Sequence, residues 1–451
     1  MALSGLEIFK LLPKTNCRDC GRPTCLAFAM QLAQKKANLS DCPHVSDEAK
    51  AALDEASAPP IRGVTFGTGE RALKMGEETV LFRHEEKFYN PAGIAVRVPD
   101  TLSPDELREK YKRIQALRFV RVGMDIEVEA AAIENASGDD AKFKEAAKIA
   151  AEETDLLPAL ISETPEHISQ ALEVCADKRP LIHAATKDNW KEMAALAKAK
   201  SCPLVVSAPS LEELADLTGQ VKGEGVEDLV LDFATTDPKH VLQLLTRARR
   251  AALKKTFRQL GYPTIVFTGV DDPFDDSARA CVFMAKYASL IVVNTDEPWA
   301  ILPILTVRQN IYTDPQKPIQ VEPKLYPVGE PDSKSPVLFT TNFSLTYYTV
   351  EGDVEASRVP AHILVVDTEG TSVLTAYSGD KLSEKTVAKA MKDVDLESVV
   401  DHKKIIIPGL IAVMSGKLEE ESGWQVLVGP RESSAIPTYL KTVWPKEIGA
   451  A

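Results

Sequence analysis

Four of the seven cysteines crowd the start of the chain, at Cys17, Cys20, Cys25 and Cys42, while Cys175, Cys202 and Cys281 are scattered through the middle. The spacing is Cys-x2-Cys-x4-Cys-x16-Cys, with Pro43 directly after the last. Four thiols this close read as ligands, because disulfides are rare in a reducing cytosol and four free thiols on one short segment would be an oxidation hazard. One tight pair, a looser third and a distant fourth suit a larger iron–sulfur cluster better than a structural zinc site built from two short knuckles. Zinc or unrelated structural cysteines are the alternatives. After Cys25 the run CLAFAMQLAQKKA has helical character, with Thr24 as N-cap and Leu26, Met30 and Ala33 on one face. Cys25 then sits in the first turn, where the helix dipole favours a thiolate and a reduced cluster. Gly21 and Pro23 supply the sharp loop, and His44 reads as a surface or packing histidine.

The chain of 451 residues is long for one domain and suggests about three. With 44% hydrophobic and 26% charged residues the composition is that of a folded globular protein. The balance of 53 Lys+Arg against 66 Asp+Glu, net −13, speaks against a nucleic-acid footprint, which needs clustered positive charge. No run approaches the roughly 20 apolar residues of a membrane helix, and the apolar stretch of MALSGLEIFKLLPK is too short for a signal peptide. A cytoplasmic location, with no membrane partner, is the expectation.

Two boundaries are marked by proline. ASAPPIR, residues 56–62, closes the cysteine segment, and a proline-rich stretch between 311 and 336 reads as an extended connector. Between them, β-branched runs alternate with amphipathic stretches, the sequence form of βα units. The expected strands are GIAVRV near 93, RFVRVG near 118, PALIS near 158, PLIHA near 180, PLVVSA near 203, DLVLDF near 228, TIVFTG near 264 and LIVVN near 290. Eight in about 260 residues fit a TIM (β/α)8 barrel. The first is the least defined, because TVLF near 79 and GIAVRV could form an entering hairpin. DDAKFKEAAKIAAEE and SLEELADLTGQV read as outer helices capped by Asp or Ser. From about Val337, HILVVD, KIIIPG and WQVLVGP each precede a helical stretch, giving a smaller α/β unit. The fold class is α/β multidomain: a cysteine domain (1–58), a barrel (62–325) and a Rossmann-like C-terminal domain (326–451).

The segment NCRDCGRPTCLAFAMQLAQKKANLSDCPHVS closely resembles the large subunit of the corrinoid iron–sulfur proteins, also called the acetyl-CoA decarbonylase/synthase gamma subunit. The likeness recurs in FRHEEKFYNPAG near 82, IYTDPQKPIQVEPK near 311, TTNFSLTYYTVEGDVE near 340, VDTEGTSVLTA near 366 and SGWQVLVGPRESS near 422. It implies a [4Fe-4S] cluster on Cys17, Cys20, Cys25 and Cys42, a central TIM barrel, and a corrinoid held by the C-terminal domain against a smaller barrel subunit. The implied function is methyl carriage in the reductive acetyl-CoA (Wood–Ljungdahl) pathway. Cobalt(I) takes a methyl group from a methyl-pterin, folate or sarcinapterin, held by a separate methyltransferase, and delivers it to the nickel of acetyl-CoA synthase. The cluster returns an electron when cobalt falls to cobalt(II). Implied partners are the small subunit, the methyltransferase, acetyl-CoA synthase and a reductive activator or ferredoxin. The chain would be a methyltransferase component with no catalytic side chain, because cobalt makes the bonds.

Ligands of open α/β sheets sit beyond the carboxyl ends of strands, which points to residues 367–375, to Pro408 and Gly409, and to residues 429–434. Gly370, Thr371, Ser372, Val373 and Thr375 could let backbone and hydroxyls approach a macrocycle, and Ser433 could meet its nucleotide tail. The resemblance adds Thr340 and Thr346. The plain alternative is that EGTS is a turn, PG a strand end and GPRESS a helix cap. Arg431 reads as solvated. The Asp-x-His-x-x-Gly pattern that supplies a lower histidine to cobalt is absent, and His362 and His402 are the only terminal histidines, so a base-off, histidine-off corrinoid is expected. At the barrel's strand ends lie Asp232, Asp271, Asp272, Asn294, Asp296 and Glu297. Without a Lys, His or metal constellation they read as helix caps or a docking face, and His183 as a core histidine. An electron-transferring activator of another corrinoid protein and a free-standing pterin-dependent barrel methyltransferase remain the alternatives.

Overall fold

The computed structural model describes residues 5–33, 37, 41–46, 59–314 and 318–449. The chain forms two compact units, Met1–Arg118 with Glu127–Tyr312, and Phe119–Ile126 with Thr313–Ala451. The expected boundary at 56–62 and the tail of the cysteine-segment helix fall partly outside the described residues.

At the N-terminus, α1 (Gly5–Leu11) packs on α2 (Cys25–Ala33). Thr24 caps α2 as expected, its Oγ1 accepting the Ala27 N–H at 3.0 Å. The buried stripe is Cys25, Phe28 and Ala29, joined by Ile8, Leu12, Cys42 and Val45. Leu26 and Met30 share a face as expected, and it is the exposed one. So small a core has room for one stripe of α2, and the stripe of Cys25, Phe28 and Ala29 takes it.

A hairpin of β1 (Val64–Phe66) and β2 (Leu73–Met75) precedes the barrel and plugs it, since Val64, Phe66 and Met75 pack among the inward side chains of the barrel strands. The first barrel strand is β3 (Gly93–Pro99). RFVRVG does not supply the second. It forms a separate hairpin of β4 (Arg118–Arg121) and β5 (Met124–Glu127), and the second barrel strand is β6 (Ala130–Glu134). The residues of β4 alternate between exposed and half-buried, whereas Ala130 to Ile133 are fully buried. Alanine is a helix former by propensity, but between two strands facing a crowded interior its small side chain is what fits. TVLF near 79 forms no strand.

The remaining strands are β7 (Leu157–Ile161), β8 (Leu181–Ala185), β9 (Leu204–Ser207), β10 (Leu229–Asp232), β11 (Ile265–Phe267) and β12 (Leu290–Val293), all parallel. Their order is β10-β9-β8-β7-β6-β3-β12-β11, and a parallel bridge from Leu231 to Thr264 joins the two ends into a closed barrel. A helix follows each strand: α3 (Pro104–Gln115), α4 (Asp140–Glu153), α5 (Pro165–Cys175), α6 (Trp190–Lys200), α7 (Leu211–Gly223), α8 (Pro238–Lys255), α9 (Pro273–Ala285) and α10 (Pro298–Tyr312). Asp139 and Ser210 cap α4 and α7, as their sequences indicate.

The C-terminal unit is an open five-stranded sheet of β13 (Leu325–Val328), β14 (Val337–Thr341), β15 (Ala361–Val366), β16 (Lys404–Ile407) and β17 (Gln425–Val428). The order is β13-β15-β14-β16-β17, parallel except for β13. Part of the expected connector is thus an edge strand, a place where Pro327 removes no inner ladder bond. One face is covered by α11 (Ser344–Ser357), and the other by α12 (Val373–Ser378), α13 (Glu384–Asp393), α14 (Leu396–Val399) and α15 (Ser415–Ser422). The chain ends in α16 (Ile436–Thr442) and α17 (Trp444–Glu447), which return to the face of α11. Burial on both faces explains why AHILVV is apolar without alternation. From β14 the chain moves outward to β15, then crosses back to β16 on the other side. The β14/β16 gap is therefore the point where the topology switches direction.

Candidate functional site

None of the seven cysteines is in a disulfide. Cys25 and Cys42 are buried in the small N-terminal core and Cys20 packs against it. Cys17 is exposed and hydrogen-bonded to Asp19. The carboxylate of Asp19 lies 2.5 Å from Nε2 of His44, and hydrogen bonds from His44 and then Cys17 hold that carboxyl below its ordinary value. His44 thus ties the Cys42 loop to the Cys17–Cys20 loop. Lys14, Asn16, Arg18 and Gly21 all have positive φ, so the backbone coils through the stretch that carries Cys17 and Cys20. Such coiling turns N–H groups inward, a feature of anion and iron–sulfur sites. The Asn16 N–H does point at Cys25 Sγ, 3.4 Å away. By contrast, Cys175 and Cys202 are buried thiols whose pKa is pushed up, by burial first, to about 12 and about 11, which leaves them inert.

In the C-terminal unit a cavity of about 420 Å³ opens at the β14/β16 switch point. Its inner wall is apolar, with Leu338 and Ile406 from the sheet, Val350 from α11 and Ile436 from α16. Toward the strand ends the lining turns polar with Thr340, Thr346, Ser372, Arg431 and Ser433. Leu345 and Leu410, which also line it, are exposed, as is Leu374 beside lining residue Val373. Thr340 is 1% exposed and its Oγ1 has no hydrogen-bond partner. A buried hydroxyl of that kind is rare unless something else satisfies it.

Of the residues singled out from sequence, Thr340, Thr346, Ser372, Val373, Pro408 and Ser433 line this cavity. Gly370, Thr371, Thr375 and Gly409 do not, and serve its walls instead. Asn342 Oδ1 accepts hydrogen bonds from the Gly370 N–H, the Thr368 N–H and the Thr368 hydroxyl, each at 3.0 Å, and so shapes the turn before Ser372. The Thr371 hydroxyl donates to Thr368 O, and the Thr375 and Ser372 hydroxyls pair at 3.0 Å. A Cβ on Gly409 would lie 2.5 Å from Gly429 O, so only glycine lets the β16 and β17 loops close together. Sequence reasoning set Arg431 aside and missed the apolar wall. The missed wall was encoded in α11, where Leu345, Thr346, Thr349 and Val350 fall on one side at helical spacing.

Neither terminal histidine can reach the cavity. His362, the second residue of β15, alternates to the face of the sheet opposite Ala361 and Ile363 and lies beside Asp332 and His402, and burial lowers its pKa. His402 precedes β16 at the opposite end from the cavity, its Nε2 donating to Ser335 O at 2.9 Å and its Nδ1 accepting the Lys404 N–H. Its ring lies edge-on to Trp444.

At the barrel mouth the inward side chains change from apolar to polar at the last layer. His183 Nε2 is 3.0 Å from Asp232 Oδ2, which also accepts the Ser207 hydroxyl at 2.7 Å, and all three residues are buried. Arg97 pairs with Glu134 at 2.5 Å. Asp276 accepts the N–H groups of Asn294 and Thr295 at 2.8 and 2.7 Å. Asp271 takes the Asn294 amide, Asp272 caps α9, and Asp296 pairs with Arg113 and Lys110. Asp232, Asp271, Asp272 and Asp296 are thus engaged with their own protein, while Glu297 is exposed.

Among the described residues no helix is long and apolar enough to cross a membrane. Comparison with known proteins adds the lineage. The family model described as CO dehydrogenase/acetyl-CoA synthase delta subunit matches residues 63–440, and the model described as "Putative Fe-S cluster" matches residues 12–44. The corrinoid/iron-sulfur protein large subunit of Moorella thermoacetica is 48% identical over 98% of this chain and 99% of its own length. The acetyl-CoA decarbonylase/synthase complex subunit gamma of Methanothermobacter thermautotrophicus is 40% identical over 98% and 99%. Among solved structures, dihydropteroate synthase from Xanthomonas albilineans aligns with 50% of this chain and 94% of its own at 15% identity and a TM-score of 0.38. That from Thermus thermophilus aligns with 55% and 99% at 17% identity and a TM-score of 0.40. The end-to-end identity to the first two proteins shows that the chain belongs to the family of the corrinoid/iron-sulfur protein large subunit and the acetyl-CoA decarbonylase/synthase complex subunit gamma.

Proposed function

We propose that this chain is the large subunit of a two-cofactor methyl carrier, with a [4Fe-4S] cluster on Cys17, Cys20, Cys25 and Cys42 and a corrinoid on the C-terminal unit. When bound, the corrinoid supplies a cobalt that takes a methyl group from a methyl-pterin and gives it to the nickel of acetyl-CoA synthase, while the cluster supplies the electron that restores cobalt's lowest state. The observation that carries this reading is the cavity at the β14/β16 switch point, with its apolar inner wall, hydroxyl-rich mouth and unsatisfied Thr340 hydroxyl. At about 420 Å³ it is too small for a whole corrinoid and suits the nucleotide tail. Thr340, Thr346 and Ser433 would bond the tail, and Leu345, Leu374 and Leu410 would meet the ring and shield it from water. The chain withholds an axial nitrogen, since His362 and His402 both point elsewhere. That favours a cobalt of low coordination. The segments 367–375 and 429–434, with Gly370 and Gly409, form walls of the same site. A small barrel subunit would cover the exposed rim, with a pterin methyltransferase, acetyl-CoA synthase and a reductive activator or ferredoxin as successive partners.

The test is an anaerobic absorption spectrum of the chain co-produced with its small subunit, taken before and after a low-potential reductant, with metal analysis. Cobalt and iron at about one to four, with a corrinoid band that converts to cobalt(I), is the expected result. Iron without cobalt, with corrinoid supplied, would overturn the carrier reading in favour of an electron-transfer activator.

A further inference from the structure

Asn16 stands next to the first cysteine and makes two reciprocal bonds across nine residues. Its backbone N–H donates to Cys25 Sγ at 3.4 Å, and its side-chain Oδ1 accepts the Cys25 N–H at 2.8 Å. The second bond satisfies the first free donor of α2, which the Thr24 cap leaves open because its hydroxyl serves Ala27. Asn16 has φ 52°, a left-handed conformation that asparagine tolerates and β-branched residues resist. The two bonds close the loop that contains Cys17 and Cys20, so one residue fixes the relation of three of the four thiols. On the same loop Gly21 N–H donates to Arg18 O, a local turn that does not span the loop ends.

We infer that Asn16 is the positioning residue of the cysteine segment: it holds the Cys17–Cys20 loop against the start of α2 and aims an N–H at the Cys25 sulfur. An N–H directed at a ligand sulfur stabilises the more negative sulfur and so raises the reduction potential of the centre it holds. The inference rests on the reading of residues 12–44 as an iron–sulfur site, and it adds a residue that is not itself a ligand.

The test uses the full chain with three substitutions. Asn16→Val opposes the left-handed backbone and removes Oδ1. Asn16→Gly keeps the backbone and its N–H but removes Oδ1, and Asn16→Asp keeps both bonds and adds a negative charge. Iron content, the rate of iron release to a chelator and the midpoint potential by EPR titration are measured anaerobically, with circular dichroism melting as the check that the barrel is folded. Asn16→Val should be isolated with several-fold less iron than the parent. Asn16→Gly should load iron but release it several-fold faster. Asn16→Asp should keep its iron at a more negative potential. Parental iron, release rate and potential in all three would overturn the role of Asn16. Equal iron loss in Asn16→Asp and Asn16→Val would overturn it too, since the first retains both bonds. If the parent takes up zinc and no iron, the cluster reading fails, and the same order of metal release among the variants still decides the role of Asn16.

Discussion

The barrel and the C-terminal unit present their polar residues in the same place, at the carboxyl ends of parallel strands, and use them in opposite ways. In the barrel, Asp232 takes both His183 and Ser207, Glu134 takes Arg97, and Asp276 takes two backbone N–H groups. Most of the last layer therefore pairs with itself above an apolar interior, although His183 Nδ1 and Asp276 Oδ1 are buried without a partner. In the C-terminal unit the strand ends surround a cavity, glycine lets two loops meet without side chains between them, and Thr340 is left with an unsatisfied hydroxyl. Strand-end position alone does not mark a binding site. What sets the C-terminal unit apart is that the unpartnered Thr340 hydroxyl borders an open cavity, because a buried group without a partner is costly unless a ligand supplies one.

The comparison breaks most visibly at Gly409. A valine there would drive its Cβ to within 2.5 Å of Gly429 O and force the β16 and β17 loops apart. Overpacking of that kind costs about 1–3 kcal/mol. Cobalt retention should fall about tenfold or more, with iron content unchanged. Metal analysis of the purified variant checks it, and parental cobalt would show that the loop closure does not shape the site.

Asp232→Ala should have the reverse signature. It strands two buried polar side chains, at about 1–3 kcal/mol each, and lowers the barrel's melting temperature by several degrees. Cobalt, iron and methyl transfer should stay at parental levels. A loss of methyl transfer in a variant of normal stability would mean that the barrel mouth works in the reaction after all.

A smaller effect separates the two faces of the C-terminal sheet. Burial holds His362 below its ordinary value, so the folded unit resists its protonation more than the unfolded chain does. The stability this provides is complete above a pH of about 6.5 and is lost as pH falls toward the lower folded-state value. His362→Gln should flatten the acid limb of urea-denaturation midpoints measured from pH 7.5 to 5.5. A parental slope would place the pH sensitivity elsewhere. The smallest effect is expected of His402→Gln. The EPR spectrum of cobalt(II) should be the same in parent and variant, without splitting from a protein nitrogen, and a change in that splitting would assign a lower ligand to His402.

Much of this architecture was legible in the sequence because it follows from local rules. Asp139, Ser210 and Thr24 cap their helices where a polar residue precedes an apolar period. Seven of the eight barrel strands stand where β-branched runs put them. The exception is instructive, since RFVRVG has strand propensity but alternates between exposed and half-buried, while Ala130 to Ile133 has poor strand propensity and the right size for the interior. Propensity reports the pleated backbone, and packing inside a closed barrel overrode it. In the site, the strand-end turns were legible and the apolar wall was not. Leu338, Ile406 and Ile436 come together from elements nearly 100 residues apart, and nothing in their local sequence distinguishes a cavity wall from a core. Asn16 was invisible for the same reason, because its role is a pair of bonds to Cys25 that spacing alone does not display.

The most direct measurement of the central claim is the cobalt content of Thr346→Trp, produced anaerobically with the small subunit. Thr346 is half-buried on α11 and lines the cavity, so an indole there fills the space without disturbing the sheet. The variant is expected to fold, keep its iron and lose its cobalt. Parental cobalt and iron together would place the corrinoid outside the β14/β16 cavity and contradict the account.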